Sequence, residues 1–254
     1  MSFTIQYCSD LHLEFDENRK YLNRNPIIPK GEILLLAGDI LLLKEIEMHY
    51  DFFDYLSANF KQTYWIPGNH EYYGSTLSNW PSPLNIPIRH NVTLVNRQTL
   101  VHEDIVIITS TLWSHISPAN ELIIQKNLSD FRMIRNTEKQ LSVTDFNEMH
   151  LSELTFIKNA LSENTDKKKI ILTHHIPTLK NYPKAFINSV YTEAFATELH
   201  DMVLASDAAY WIYGHHHKNI PAFKIGNTTL LTNQLGYVSH YEHKEYRRDA
   251  TISI

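Results

Sequence analysis

Metal-competent side chains follow five short apolar runs of this sequence, each at the point where the run ends. The five motifs are Ser9-Asp10-Leu11-His12, Gly38-Asp39, Gly68-Asn69-His70-Glu71, Thr173-His174-His175 and Gly214-His215-His216-His217. Together they offer carboxylate, imidazole and amide donors, a mixture that suits a transition ion such as Mn, Fe or Zn better than Ca or Mg. The sequence therefore predicts a metal site assembled from five separate places in the chain.

The spacing within the motifs indicates which side chains act together. In an extended chain, residues i and i+2 point to the same side, so Asp10 and His12 can reach one ion. By the same rule, His215 and His217 share a face, while His216 points elsewhere. If one carboxylate bridges, seven side chains are enough to hold two ions.

The elements that must position these motifs are short strands. Ten apolar or β-branched runs have the length of buried strands, at residues 3–8, 33–37, 62–66, 92–95, 105–109, 169–173, 210–213, 222–225, 228–232 and 250–254. Several are continuous rather than alternating, which favours strands covered on both faces. Side chains that follow the strands of an α/β sheet converge at its carboxyl edge. Gly38, Gly68 and Gly214 would let the backbone turn sharply there.

The connections between the strands predict a mixed topology. The first three motifs are 29 residues apart in each step, which is the length of a βαβ unit, so the first three strands are predicted to be parallel. After residue 220, closely spaced strands with turn signals predict an antiparallel meander.

Helical periodicity predicts three helices, and two further segments are predicted to be loops. The helices are expected at residues 44–60, 146–161 and 192–205, with Ser142 and Thr144 as candidate N-caps of the second. Residues 114–143 are polar and weakly periodic, and we expect them to be an insertion that covers the site. Residues 81–87 hold three prolines and are expected to be an extended loop.

Composition bounds the class of protein. The chain has 254 residues, 43% hydrophobic and 20% charged, which is typical of a globular protein, and we expect residues 1–254 to form a single domain. The net charge of −5 provides no overall basic field for long nucleic acids. Cys8 is the single cysteine, so an internal disulfide is excluded. Residues 1–10 lack a signal-peptide pattern and residues 33–43 are too short to span a bilayer, so we expect a cytoplasmic protein with no membrane partner.

The motifs, taken in order, resemble a known family. The series Asp-x-His, Gly-Asp, Gly-Asn-His-Glu, His and Gly-His-x-His, from Asp10 to His217, resembles the calcineurin-like metallophosphoesterase superfamily. The resemblance implies an α/β fold, a four-layer α/β/β/α sandwich of two mixed sheets flanked by helices. This agrees with the mixed pattern of strands above.

The same resemblance implies a binuclear centre of two divalent transition-metal ions, Mn, Fe or Zn. The first ion would be held by Asp10, His12, Asp39 and His217, and the second by Asp39, Asn69, His174 and His215. Asp39 would bridge the ions, and Asn69 would contribute an oxygen without cancelling charge. His70 falls on the family's outer-sphere catalytic histidine, where Glu71 or another carboxylate is a candidate to orient it.

The implied activity is metal-dependent hydrolysis of small phosphoesters, by in-line attack of a hydroxide that bridges the metals. Phosphodiesters are slightly preferred over monoesters, because small or loosely covered members of the family often take diesters. The alternatives are a nuclease or nucleotide pyrophosphatase of the same family, and a non-catalytic interaction scaffold on the same fold. The chain retains every implied ligand and the catalytic histidine, which favours an enzyme.

Four further residues are candidates for contact with the substrate. Tyr72 and Tyr73 follow Glu71 and could stack on an aromatic group, although loop packing explains them equally well. Arg132 and Arg135 could reach a second phosphate, although paired arginines in a polar loop are usually solvated. His175 and His216 face away from the ligands and are expected to pack.

Overall fold

The computed structural model describes residues 4–254, as two six-stranded sheets, one three-stranded sheet and six α-helices. The strands are β1 Thr4–Cys8, β2 Ile33–Ala37, β3 Gln62–Ile66, β4 Ser75–Thr76, β5 Leu84–Arg89, β6 Val92–Asn96, β7 Gln98–His102, β8 Ile105–Ser110, β9 Ile134–Asn136, β10 Lys139–Gln140, β11 Lys168–Thr173, β12 Tyr210–Ile212, β13 Phe223–Ile225, β14 Thr228–Leu231 and β15 Thr251–Ser253. The helices are α1 Asp16–Arg24, α2 Tyr50–Asn59, α3 Glu121–Asn127, α4 Asp130–Met133, α5 Val143–Glu163 and α6 His200–Ser206. All ten predicted strand runs fall on strands, and Phe3 of the first run lies outside the described residues.

Each large sheet has four parallel strands in its centre and an antiparallel strand at each edge. The first sheet has the order β15-β1-β2-β3-β6-β5, in which β1, β2, β3 and β6 are parallel. The second has the order β13-β14-β12-β11-β8-β7, in which β14, β12, β11 and β8 are parallel. The predicted parallel pairing of the first three strands is confirmed.

The two sheets pack face to face, and helices cover their outer faces. Alternation along β2 shows this directly: Ile33 and Leu35 pack with residues of the second sheet, such as Ile107, while Leu34 and Leu36 belong to a separate cluster. That outer cluster includes residues of α1 and α2, and a third cluster packs α5 and α6 on the second sheet. Both faces of the strands are therefore apolar, which explains the continuous runs. The predicted four-layer architecture is confirmed.

Two predictions, one of a loop and one of a meander, were wrong in part. Residues 81–87 do not form a loop throughout, because β5 begins at Leu84 and pairs with β6. A strand at a sheet edge needs partners on one side only, so it tolerates Pro87. The predicted meander after residue 220 is limited to the β13–β14 hairpin, since β14 also pairs in parallel with β12, and β15 joins the first sheet.

The predicted helices are observed with changed boundaries. The first is divided into a 3-10 helix, Leu43–His49, and α2. The third is divided into a 3-10 helix, Val190–Ala194, and α6. The second is α5, which begins three residues before the predicted start at Phe146, because a capping box at Ser142 precedes it. Within residues 4–254, no helix is long and apolar enough to cross a membrane.

The start of α5 provides a stability test. Ser142 accepts a hydrogen bond from Asp145 N, and the Asp145 carboxylate accepts one from Ser142 N. Ser142→Ala removes the cap and is expected to lower the free energy of unfolding by about 1 kcal/mol, measured by urea denaturation. Thr144→Ala, at an exposed position of the first turn, is the control and should change stability by less than about 0.5 kcal/mol. Equal effects would mean that the cap does not stabilise α5.

Candidate metal centre

The carboxyl ends of strands from both sheets meet at one edge of the sandwich. Each of five parallel strands is followed by predicted ligands: Asp10 and His12 after β1, Asp39 after β2, Asn69 after β3, His174 after β11, and His215 and His217 after β12. The parallel direction of these strands brings all seven side chains to the same edge.

The first group of donors surrounds one point. His12 Nε2 lies 2.9 Å from His217 Nε2, which lies 3.4 Å from Asp10 Oδ1. Asp39 Oδ2 completes the group, 3.8 Å from His12 Nε2. Donors that share one ion at about 2.1 Å are separated by about 3.0 Å at a right angle and by about 3.6 Å at 120°, so these distances of 2.9 to 3.8 Å are close to those around a single metal ion.

A second group shares Asp39. His174 Nε2 lies 3.3 Å from Asp39 Oδ2, 3.1 Å from His215 Nδ1 and 3.3 Å from Asn69 Oδ1. Asp39 therefore belongs to both groups and is placed to bridge two ions. The donor sets are those expected from the sequence, and they fit a binuclear divalent centre.

In each of the four histidines of the donor groups, the ring nitrogen that points away from the group faces a hydrogen-bond acceptor. The nitrogen that points into the group is therefore available to bind a metal ion. His12 Nδ1 and His217 Nδ1 lie 2.9 Å from Glu14 Oε1 and Glu242 Oε2, respectively. His174 Nδ1 faces the carbonyl of Ala37 at 2.8 Å, and His215 Nε2 faces that of Ala194 at 3.4 Å. Such partners fix the tautomer of metal-binding histidines in proteins, so the surroundings as well as the donors suit metal.

Electrostatics at the centre favour cations. Burial opposes a charge on His217, but the carboxylates of Asp10 and Glu242 outweigh it and raise its pKa to about 10. Burial also opposes a charge on His174, but the Asp39 carboxylate outweighs this effect and raises the pKa of His174 to about 9. Positive charge on these rings is stabilised by Glu242 and by Asp10 and Asp39, the two carboxylates that would also bind metal ions.

The backbone at the centre is strained. Five of the seven predicted ligands have φ in the left-handed region: Asp10 at 56°, His12 at 48°, Asp39 at 54°, His215 at 84° and His217 at 51°. Residues with a Cβ rarely adopt this conformation, and in proteins such strain concentrates at functional sites. The surrounding structure must hold these residues in place.

Glu71 supplies part of that support, and it does not orient His70. Its buried carboxylate accepts hydrogen bonds from the backbone N–H groups of Asp39, Ile40 and Gly68, and from Trp65 Nε1. It therefore fixes the strained turn that carries Asp39.

His70 is oriented by Glu14 instead. Glu14 Oε1 lies 2.9 Å from His70 Nδ1 and 2.9 Å from His12 Nδ1, so one carboxylate oxygen holds both rings. Burial lowers the pKa of His70, but Asp39 and Glu14 outweigh it and the net shift is upward. His70 Nε2 is left on the side of Tyr237, whose hydroxyl is 3.4 Å away.

The three motif glycines are required mainly for space. Gly38 has φ +85°, as predicted for a sharp turn, but Gly68 and Gly214 do not have positive φ. A Cβ on Gly68 would overlap Asp39 Oδ1 and come within 2.6 Å of His174 Nε2, and one on Gly214 would lie 2.5 Å from Asp10 Oδ2. The backbone passes too close to the ligands for any side chain.

A cavity of about 570 Å³ opens beside the centre and is lined by Asp39, Asn69, His70, His215 and His217, among others. Two segments of chain cover it. Residues 127–130 of the predicted insertion form one part of its wall, and residues 182–195, which the sequence analysis did not identify, form another.

The four predicted substrate residues differ in their positions. Tyr73 lines the cavity and stacks on His70 with ring centroids 4.2 Å apart. Tyr72 is buried against Trp113, outside the cavity lining. Arg132 and Arg135 are exposed and also lie outside it, so the structure does not support contact with a second phosphate.

Three residues near the centre were missed by the sequence analysis. Glu14 continues the alternation of Asp10 and His12, and this spacing was a usable signal. Glu242 and Tyr237 lie far along the chain and follow no motif. Tyr237 packs against His12 and His217, with ring centroids 4.8 and 4.4 Å apart, respectively.

The remaining motif histidines pack, as expected. His175 is buried and its ring lies 4.2 Å from that of His215. His216 hydrogen-bonds with Gln234 and also borders the cavity. His150, on α5, faces the carbonyl of Trp113, and Asn233 ties β1 to residue Arg247.

The close approach at Gly68 gives a test of the metal centre. Gly68→Ala is expected to weaken metal binding by at least about 10-fold, because the new Cβ displaces Asp39 and His174. Metal content after dialysis, measured by mass spectrometry, checks this. Gly226→Ala, in the β13–β14 turn with φ +58°, is the control and should be destabilised but keep its metal. Full metal content in Gly68→Ala would contradict the assignment.

Comparisons with known proteins identify the family. A family model described as calcineurin-like phosphoesterase matches residues 3–219. An uncharacterized protein of Acanthamoeba polyphaga mimivirus is 32% identical over 278 residues, covering 98% of this chain and 96% of the viral protein.

Solved structures have the same fold. The crystal structure of the phosphopantetheinyl hydrolase PptH from Mycobacterium tuberculosis matches with a TM-score of 0.72 and 16% identity, over 99% of this chain and 95% of that chain. A dimetal phosphatase from Danio rerio matches with a TM-score of 0.55 and 12% identity, over 99% and 98%. Together with the family match and the Asp39-bridged donor groups, these findings show that the chain belongs to the calcineurin-like phosphoesterase family and is a metal-dependent phosphoesterase.

Proposed function

We propose that this enzyme hydrolyses small phosphodiesters in preference to phosphomonoesters. The observation that carries this proposal is the charge of the cavity. Within the described part of the chain, none of the residues that line it is a lysine or an arginine, while Asp130 and Glu242 add carboxylates. The substrate's negative charge must therefore be met by the metal centre and the histidines.

The charge balance favours a monoanion. Two divalent ions would bring four positive charges against the two negative charges of Asp10 and Asp39. A phosphodiester adds one negative charge, which leaves the group positive. A monoester dianion cancels the remaining charge, and each further phosphate adds negative charge that no lysine or arginine in the described lining offsets.

The residues of the chain have distinct roles in the proposed reaction. When bound, the two ions supply an activated water and neutralise charge on the phosphoryl group. Asp39 fixes the spacing of the two donor groups, because it belongs to both. His70 is proposed to hydrogen-bond the phosphoryl oxygens or to give a proton to the departing oxygen, and Glu14 holds the ring for this role.

The metals are proposed to be Mn, Fe or Zn, since four of the seven donors are imidazoles, which suit these ions. Long nucleic acids are not proposed as substrates, because the net charge of −5 and the lack of lysine or arginine in the described cavity lining oppose binding to many phosphates. One of the similar structures is named a phosphopantetheinyl hydrolase. Esters of phosphopantetheine therefore belong in a substrate panel.

The diester preference is tested with matched chromogenic substrates. With Mn²⁺ present, kcat/KM for bis-(p-nitrophenyl) phosphate is expected to exceed that for p-nitrophenyl phosphate by about 10-fold or more, because only the monoanion leaves a net positive charge on the metal centre. Release of p-nitrophenolate measures both. Faster turnover of the monoester would overturn the preference, and loaded protein inactive on both would overturn the activity itself.

The link between Glu14 and His70 predicts a leaving-group effect. Glu14→Gln is expected to lower kcat by about 10- to 100-fold at saturating metal. The loss should be larger for dimethyl phosphate, whose departing methoxide needs a proton, than for bis-(p-nitrophenyl) phosphate, whose departing p-nitrophenolate does not. His70→Ala should lower kcat about 100-fold or more, and adding Glu14→Gln to it should cost little further activity.

Two checks accompany this test. Glu17→Gln, exposed on α1, is the matched control and should retain full activity. Metal content should remain near that of the wild type in His70→Ala. Losses in Glu14→Gln that are equal for both leaving groups would show that Glu14 acts on His12 alone.

A further inference from the structure

Aromatic rings dominate the part of the cavity wall that is not made of ligands. Six of them line it: Tyr73, Tyr182, Phe186, Tyr191, Phe195 and Tyr237. They come from three separate parts of the chain, so their convergence is a property of the fold. No short sequence motif brings them together.

Several of these rings pack directly on the histidines of the centre. Phe195 stacks on His215, with centroids 4.5 Å apart and planes at 27°, and Tyr73 stacks on His70. Tyr237 contacts His217 edge-on. The apolar wall therefore begins at the metal centre and continues outward to Phe186, whose side chain is 55% exposed.

The covering segment is built as a defined structure. Residues 177–195 are closed at their base by a parallel bridge between Ile176 and Ala196. Inside the segment, Thr192 Oγ1 donates to the carbonyl of Phe186 at 2.6 Å. Glu193 accepts hydrogen bonds from Ser117 N and Oγ, which join the segment to the insertion. The rings are thus held in place before any substrate binds.

The size of the cavity exceeds what a phosphoryl group needs. Sites of about 300 to 1,000 Å³ accommodate organic ligands of the size of a nucleoside or larger, and this cavity of about 570 Å³ lies in that range. Its walls offer apolar rings, and the lining residues described above include no lysine or arginine that could pair with a second phosphate.

We infer that these rings form a subsite for an uncharged aromatic substituent of the phosphoester. This inference rests on the proposed function, since it names the organic group of the substrate that the metal centre would act on. Stacking on tyrosine and phenylalanine rings recognises an aryl group or a nucleobase equally, because both present a flat π-face. The subsite discriminates against substituents that carry further phosphates.

The first test measures binding without turnover. Diphenylphosphinate and dimethylphosphinate carry the same single charge and differ in their rings, and neither has an ester bond to hydrolyse. By calorimetry on the metal-loaded enzyme, diphenylphosphinate should bind about 10-fold more tightly or better. Equal affinities would overturn the inference.

Matched variants locate the effect. Phe186→Ser should reduce the preference for the diphenyl compound about threefold or more, since it removes one ring of the wall. Leu122→Ser, at a position on α3 that is 84% exposed and outside the lining, is the control and should leave the preference unchanged. If Phe186→Ser and Tyr182→Ser, each made alone, both left the preference for diphenylphosphinate unchanged, the inference would also be overturned.

Turnover distinguishes the two sources of the aromatic group and separates this inference from the proposed function. Thymidine 5′-(p-nitrophenyl phosphate) and phenyl p-nitrophenyl phosphate should both exceed methyl p-nitrophenyl phosphate in kcat/KM, by about 10-fold. The better of the two indicates whether a nucleoside or a simple aryl group fits best. Equal rates for all three would overturn the subsite alone, while no turnover of any would overturn the proposed function and leave the calorimetric result standing.

Discussion

The shared carboxylate of Asp39 is the constraint on which the rest of the site depends. It must reach both donor groups at once. Its residue has a φ of 54°, a backbone conformation that residues with a Cβ rarely adopt. Glu71 holds the N–H groups of Asp39 and Ile40, and Asp39 Oδ1 in turn accepts from His70 N at 2.9 Å. Gly68 must lack a side chain because that carboxylate occupies the space. A strained residue of this kind persists only where its neighbours determine its position from several sides.

The packing of the two sheets explains how donor side chains from distant parts of the chain are held in fixed positions. The first sheet supplies Asp10, Asp39 and Asn69 from adjacent parallel strands, and the second supplies His174 and His215 in the same way. Because buried apolar faces lock the sheets together, the relative position of the two sets of ligands is fixed by the core rather than by loops. The segments that cover the cavity lie outside these sheets, and such connecting segments are where proteins vary the identity of a substrate.

The strands and the donor side chains that the structure brings together could both be predicted from the sequence, because both follow from local patterns. A continuous apolar run ending in Gly-Asp or Gly-His carries the strand, its end and the donor in a few residues. Glu242 and Tyr237 could not be found in this way, because they reach the centre only through the path of the chain after β14. The aromatic wall at residues 182–195 is likewise a product of tertiary packing. The three prolines of residues 81–87 indicated a loop, but proline excludes only a central strand and is compatible with the edge strand β5, which contains Pro87.

In the proposed function, the carboxylates around the centre and the apolar wall beside it have opposite effects on substrate binding, and together they would favour a singly charged substrate. Glu14 and Glu242 orient His12 and His217. These two carboxylates also add two negative charges close to the place where the phosphoryl group would bind. An enzyme that bound highly charged phosphates would offset them with lysine or arginine in the cavity wall. In the lining that residues 4–254 provide, that place is taken by tyrosine and phenylalanine. For the proposed singly charged ester, affinity would then come mainly from contact with its organic part, because the carboxylates that hold and surround the metals offset most of the positive charge at the centre.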